Sequence, residues 1–243
     1  MTMQQHRPRV DVLDWGVRDY KFAWDEQTNW HKRLIEQKRS GVENEVNNKL
    51  ILCEHPPVYT LGKSGSIDNL VWNDDERKIR GVEYYKINRG GDVTYHGPGQ
   101  LVVYPIFDMD QFFRDVHLYV RNLEEVIIRL LDTFGIAARR IDEYTGVWLE
   151  GQPNRKICAI GVHMSRWVSM HGLALNVNTN LEHFQGIVPC GINDEDKIVT
   201  SMERETGSTV DMLAVKQEAI KQFQEIFEFE IEQVYDTKSQ TSQ

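Results

Sequence analysis

The sequence predicts an α/β fold of the α+β kind, built on a mixed sheet rather than a strictly alternating parallel one. Three observations predict it. Residues 116, 120, 123, 127, 130 and 134 (Val, Val, Leu, Ile, Leu, Phe) step by four and three, the spacing of one helix face. Several short apolar runs between residues 137 and 177 are separated by tight turns such as Gly151-Gln-Pro-Asn, which suit neighbouring strands. No repeat or low-complexity stretch interrupts the 243 residues, enough for one large domain over 1–243 with a real core.

In chain order, residues 10–15 read as a short strand. Tyr20, Ala23, Trp24, Trp30, Leu34 and Ile35 recur near helical spacing and predict an amphipathic helix over 18–38. Residues 49–53 and 58–61 are two strand pieces joined by a bend, because Pro56 and Pro57 break any pairing between them. A surface loop over 62–69 and one or two helical turns over 74–80 follow. The helix over 115–134 is closed by Gly135 at the C′ position. Strands are expected over 137–141, 145–149, 156–164 and 168–177, then a short helical piece over 180–186. A last helix over 209–229 carries Leu213, Ile220, Phe223 and Phe227, with Ser208 and Asp211 placed as a capping box. The polar residues 236–243 are expected to fray.

The most unusual stretch is residues 89–100, Arg-Gly-Gly-Asp-Val-Thr-Tyr-His-Gly-Pro-Gly-Gln. Four glycines and a proline exclude a regular helix or a long paired strand. Expected strands over 82–88 and 101–107 flank it. A hairpin turn needs only about two to five residues. A longer loop carrying Arg89, Thr94, Tyr95, His96 and Gln100 is suited to bringing backbone and polar groups up to a ligand.

Charge narrows the function classes. A net charge of −9 argues against nucleic-acid binding, which needs a basic footprint. Arg114, Arg121, Arg129, Arg139, Arg140 and Arg155 cluster in the middle third, either as a solvated face or as a basic face for an acidic partner. No apolar run approaches the roughly 20 residues of a membrane span, and no apolar segment follows the first residues as in a secretory signal. Three widely spaced cysteines, Cys53, Cys158 and Cys190, point to a reducing compartment, the cytoplasm.

Two cysteines compete as nucleophile. Cys190 stands between Pro189 and Gly191, which leave it sterically accessible. Cys158 lies two residues after Lys156 and, by strict alternation, on the same strand face. A reactive thiolate needs a base or a positive charge beside it. His96, His163, His171 and His183 are available, and Lys156 serves if its ammonium is drawn inward from the start of an apolar strand. Spacing does not decide between the cysteines. Cys53 and His55 lack a second ligand pair for zinc, so no metal is expected. Gly62-Lys63-Ser64 lacks the upstream glycine of a phosphate-binding loop.

Three blocks taken together resemble the octanoyltransferases of lipoic acid biosynthesis, the lipoyl(octanoyl) transferase family. They are the Arg89 to Leu101 stretch, Lys156-Ile-Cys-Ala-Ile-Gly-Val with His171-Gly-Leu-Ala-Leu-Asn-Val-Asn, and Pro189-Cys-Gly-Ile, matching in order and spacing over about residues 50–200. The resemblance implies the fold shared by biotin- and lipoate-protein ligases. It implies transfer of an octanoyl or lipoyl group from the phosphopantetheine arm of acyl carrier protein, without a further cofactor. The acceptor is a lysine on lipoyl domains of 2-oxoacid dehydrogenase complexes or on the glycine cleavage H protein. Carried over, Cys190 matches the acyl-thioester nucleophile and Lys156 the lysine that activates it. Arg89, Gly90, Gly91, Asp92, Val93, Thr94, Tyr95 and His96 match the first substrate-binding loop. Ala159, Ile160 and Gly161 match the second, and Gly172, Leu173 and Ala174 the third. Cys158 is then core filler. The alternative of the same fold is an ATP-dependent lipoate-protein ligase, which needs no nucleophilic cysteine; a non-catalytic module that holds an acyl chain or a carrier protein is a third reading.

Overall fold

A computed structural model of the chain describes residues 7–41, 46–188 and 197–236. Two sheets organise it. The larger begins with β1 (Arg9–Val17) and β2 (Asn48–Glu54), which run parallel. β6 (Gln100–Ile106) lies antiparallel to β2, and β10 (Val168–Asn176) antiparallel to β6. β9 (Asn154–Ser165), β8 (Tyr144–Leu149) and β7 (Arg139–Ile141) extend that side as an antiparallel meander. β12 (Glu230–Asp236) adds parallel to β1 at the far edge, and β11 (Lys197–Val199) runs beside the start of β9. The order is β12-β1-β2-β6-β10-β9-β8-β7, a mixed sheet as expected. β6 and β10 are buried throughout and β2 nearly so, which is why β2 and β6 read as near-continuous apolar runs rather than alternating ones, while β10 buries Ser169, His171 and Asn176 among its apolar residues.

Helices cover both faces. α1 (Tyr20–Ser40) packs Ala23 and Leu34 on one, with Ile51, Val102, Tyr104 and Met170 beneath. It ends on Gly41 at φ 69°, a left-handed cap that glycine takes without strain. On the other face, α3 (Val116–Thr133) and α5 (Met212–Phe227) bury Leu123, Ile127, Leu130, Ala219 and Phe223 over Leu50, Val103, Leu173 and Leu175. The Asp115 carboxylate caps α3 by accepting the Leu118 N–H, and Gly135 follows at φ 72°. Two short helices, α2 (Asp74–Ile79) and α4 (Met202–Thr206), complete the set.

The smaller sheet, in the order β4-β3-β5, was not expected. β3 (Val58–Leu61) pairs with β4 (Glu83–Lys86) and β5 (Val93–His96), so the Glu-His-Pro-Pro bend sends consecutive strands into different sheets. β5 corrects the reading of residues 89–100 as all loop. Its Val93 and Tyr95 alternate inward against Tyr59, Leu61 and Phe184, a period-2 pattern hidden among the glycines. α5 starts later than expected: Asp211 alone caps it, accepting from the Leu213 N–H, with no capping box from Ser208. β11, α4 and β12 were also missed. Residues 189–196 and 237–243, on which the Pro189–Cys190 loop and the frayed end were placed, lie outside the described residues.

Candidate active site

Where the two sheets meet, β5, β9 and β10 surround a cavity of about 330 Å³, within the usual range for small-molecule sites. Arg89, Gly90, Gly91, Asp92, Val93 and Thr94 line one wall. Ala159, Ile160, Gly161 and Ala174 line another, with Lys156 beside them. An adjoining smaller cavity, sharing Arg89, Thr94 and Ala159–Gly161 with the first, reaches His96, Gly172 and Leu173. Blocks far apart in sequence therefore converge. The register explains how: Gly172 faces Gly161 and Ala174 faces Ala159 across β10 and β9, a patch of small residues that leaves room above it. The Gly90 N–H donates to the Val162 carbonyl at 2.9 Å, pinning the first loop to β9.

Tyr95 is the exception among the expected wall residues. Its ring is buried against Tyr59 and stacks on His183 with centroids 5.0 Å apart, so it supports the loop from behind. Asp92 lines the cavity with its carboxylate already engaged by the Asn69 amide and the Val93 N–H.

Arg89 is buried. Its Nη2 donates to the Thr60 carbonyl at 2.7 Å and hydroxyl at 3.1 Å, and Nη1 to the Gly90 carbonyl at 3.0 Å. Neutral histidines surround this charge. Burial, with the neighbouring His55 imidazole and Arg89 charge, lowers His96 to about 3; burial and Arg89 lower His171 to about 3. The His96 Nδ1–H donates to Gln100 Oε1 at 2.8 Å, and Gln100 Nε2 donates to Asn176 Oδ1 at 2.9 Å. His55, also buried, is lowered to about 4; its Nε2 accepts from the Tyr104 hydroxyl at 2.8 Å.

The cysteines divide. Cys53 and Cys158 are fully buried without a disulfide, and burial pushes both thiols well above their usual range. The register shifts between Val147 and Trp148: Val147 faces Cys158 but Trp148 faces Lys156, leaving Ile157 as an extra residue. This breaks the alternation that would place Lys156 and Cys158 on one strand face. Cys158, fully buried, packs into the core under α3 and, like Lys156, borders the cavity; the Lys156 Nζ lies over the Trp148 ring. Cys190 lies outside the described residues.

Some lining residues had no sequence signal. Val120 of α3, Glu143, and Tyr144 and Thr145 at the start of β8 also line the cavity, placed there by non-local packing. Asn176 was within the quoted His171-Gly-Leu-Ala-Leu-Asn-Val-Asn segment without being singled out. The six middle-third arginines each meet a carboxylate: Arg114 with Asp110, Arg121 with Glu124, Arg129 with Glu125, Arg139 with Glu150, Arg140 with Glu124 and Glu125, Arg155 with Glu205. They do not form an uncompensated basic face.

Comparison with known proteins accords with this architecture. Residues 19–224 match the family described as lipoyl protein ligase A/B catalytic domain. An octanoyltransferase of Cytophaga hutchinsonii is 53% identical over 232 residues, covering 92% of this chain and 94% of its own. One of Christiangramia forsetii is 48% identical over 229 residues, covering 91% and 97%. Among solved structures, a bipartite lipoate protein ligase of Thermoplasma acidophilum superposes with a TM-score of 0.71 at 16% identity, covering 94% of this chain and 88% of that one. A lipoate-protein ligase A bound with ATP superposes at 0.68 and 17% identity, covering 94% and 90%. No helix among the described residues is long and apolar enough to cross a membrane. With the lipoate-protein ligase fold and relatives about half identical along most of its length, the chain belongs to the lipoyl protein ligase A/B catalytic family and, within it, to the octanoyltransferases, a group of acyltransferases.

Proposed function

We propose that the chain moves an octanoyl group from the phosphopantetheine thioester of acyl carrier protein to a lysine of a lipoyl domain, through a thioester on Cys190. The observation that carries this reading is the cavity of about 330 Å³ that gathers Lys156 and the glycine-rich blocks around one space. Its walls are mixed: Val93, Val120, Ile160 and Val162 supply apolar surface, against which an acyl chain gains about 0.8 kcal/mol per buried CH₂. The Cys190 assignment is supported by the state of the other two cysteines, both buried and held as thiols.

In the first half-reaction the Cys190 thiolate attacks the donor carbonyl and the carrier's pantetheine thiolate leaves, giving the acyl-enzyme. In the second, the acceptor amine attacks that carbonyl, Cys190 leaves as thiolate, and an amide forms. Lys156 takes the Cys190 proton, gives it to the departing pantetheine sulfur, and then accepts the proton shed by the amine. Backbone N–H groups of the glycine-rich walls are suited to stabilising the oxyanion of each tetrahedral intermediate. The reaction uses no ATP and no metal.

Intact mass spectrometry after incubation with octanoyl-acyl carrier protein tests the reading. An octanoyl adduct should form on the parent and on Cys158→Ala and be lost in Cys190→Ala. An adduct that survives in Cys190→Ala and disappears in Cys158→Ala rejects it. Efficient transfer from ATP and free octanoate without carrier protein would indicate a ligase instead.

A further inference from the structure

We infer that Glu124 is a positioning residue for Lys156, acting through the backbone of Gly146; the inference rests on the proposed role of Lys156 in proton transfer. Glu124 lies on α3, and its carboxylate is 1% exposed. A carboxylate at that depth is retained only when its lone pairs are used. Oε2 accepts from Arg121 Nη1 at 2.9 Å and Arg140 Nε at 3.1 Å. Oε1 turns the other way and accepts the Gly146 N–H of β8 at 3.0 Å. Arg140 also pairs with Glu125, nearer the surface, so charge neutralisation alone does not require a buried acid here. The inward bond to Gly146 is what the burial secures.

Gly146 holds φ 123°, a conformation that side-chain-bearing residues rarely adopt. A Cβ there would stand 2.6 Å from the Cys158 carbonyl oxygen, 2.9 Å from Lys156 Cε and 3.6 Å from its Nζ. The bare glycine backbone is therefore the surface on which the end of the Lys156 side chain rests. The Trp148 ring, two residues along β8, takes the ammonium at 5.0 Å. Val120, one turn before Glu124 on α3, lines the same cavity. Glu124 thus ties α3 to the strand segment that sets where the Lys156 ammonium stands.

The test is a double-mutant cycle read by single-turnover acylation and deacylation. Gly146→Ala and Glu124→Ala should each slow both half-reactions about 10- to 100-fold, the scale of a displacement near 1 Å, with KM for donor and acceptor little changed. Glu124→Gln keeps an oxygen for the Gly146 N–H and should recover most of the rate lost in Glu124→Ala. In a Lys156→Ala background, Gly146→Ala should add no further loss, because nothing remains to be positioned. Melting curves identify any variant that fails to fold, and Glu124→Ala and Gly146→Ala serve as checks on each other. Parental rates in both variants, or an equal slowing with and without Lys156, would overturn the inference while leaving the role of Lys156 intact. Parental rates in Lys156→Ala would remove that role and the inference with it.

Discussion

The Lys156 ammonium lies 5.0 Å from the centre of the Trp148 ring, and Trp148 is fully buried. A cation over an indole face is stabilised electrostatically by about 2 kcal/mol or more once desolvated. Trp148→Leu removes that face and a large core volume, and is expected to lower stability by about 3 kcal/mol and octanoyl transfer about tenfold. Trp148→Phe keeps a ring and deletes an indole N–H that finds no hydrogen-bond partner among the described residues, so it should retain more of both. Urea unfolding and initial-rate assays separate the two effects.

Arg89→Lys keeps the charge but loses the fork that reaches Thr60 and Gly90 together. Stability should fall by about 2 kcal/mol, the worth of a charge-assisted hydrogen bond. The KM for the acyl donor should rise, because the first wall of the cavity is tied down through those bonds. An unchanged KM would separate Arg89 from substrate binding.

Gly161 and Gly172 face each other in register yet should respond differently to alanine. At Gly172 a methyl would meet the Val103 carbonyl oxygen at 2.1 Å, a collision with backbone, and the variant is expected to lose about 3 kcal/mol. At Gly161 the tightest neighbours are Arg89 Cδ and the Gly90 carbonyl oxygen at 3.0 Å, in the loop that walls the cavity. Gly161→Ala should therefore melt nearer the parent and show its defect in donor KM.

Stability should decline on the acid side. His55, His96 and His171 are depressed to about 4, 3 and 3, chiefly by burial, against about 6.5 in the unfolded chain. Below pH 6.5 the unfolded chain binds protons that the native state refuses, so unfolding becomes easier as the pH falls toward 4. At pH 5 each buried neutral histidine costs about 2 kcal/mol. Melting temperatures should be level, as far as these groups are concerned, above pH 7 and drop steadily below 6.5; a level profile down to pH 4.5 would show that these rings are accessible to protons.

Much of this was legible in the sequence because it rests on local pattern. α3 follows the steps of four and three from Val116 to Leu130, and the central strands appear as apolar runs. The glycine-rich blocks stood out because a tight backbone approach needs glycine. What stayed hidden depends on partners far along the chain. β12 is an edge strand with Val234 and Tyr235 exposed, so its residues carry no inward alternation, and only β1 makes it a strand. The extra residue at Ile157 was invisible to counting by twos, and it breaks the strict alternation between Lys156 and Cys158. Glu124 reads as one more charge on a helix; its burial follows from the hairpin that covers it.

The pairing of β1 with β12 also sets the order in which the chain can finish folding. β1 is made early and finds β2 soon after, but its outer edge waits until nearly everything described here has been synthesised. An open edge is a template for another chain. Asp14 on β1 places a carboxylate along that strand and gains its lysine, Lys216, only when α5 arrives, whereas Asp11 meets Lys49 as soon as β2 pairs. Before Lys216 arrives, the bare Asp14 charge disfavours joining a second copy edge to edge. A carboxylate that ends in an ion pair with α5 thus protects the nascent sheet.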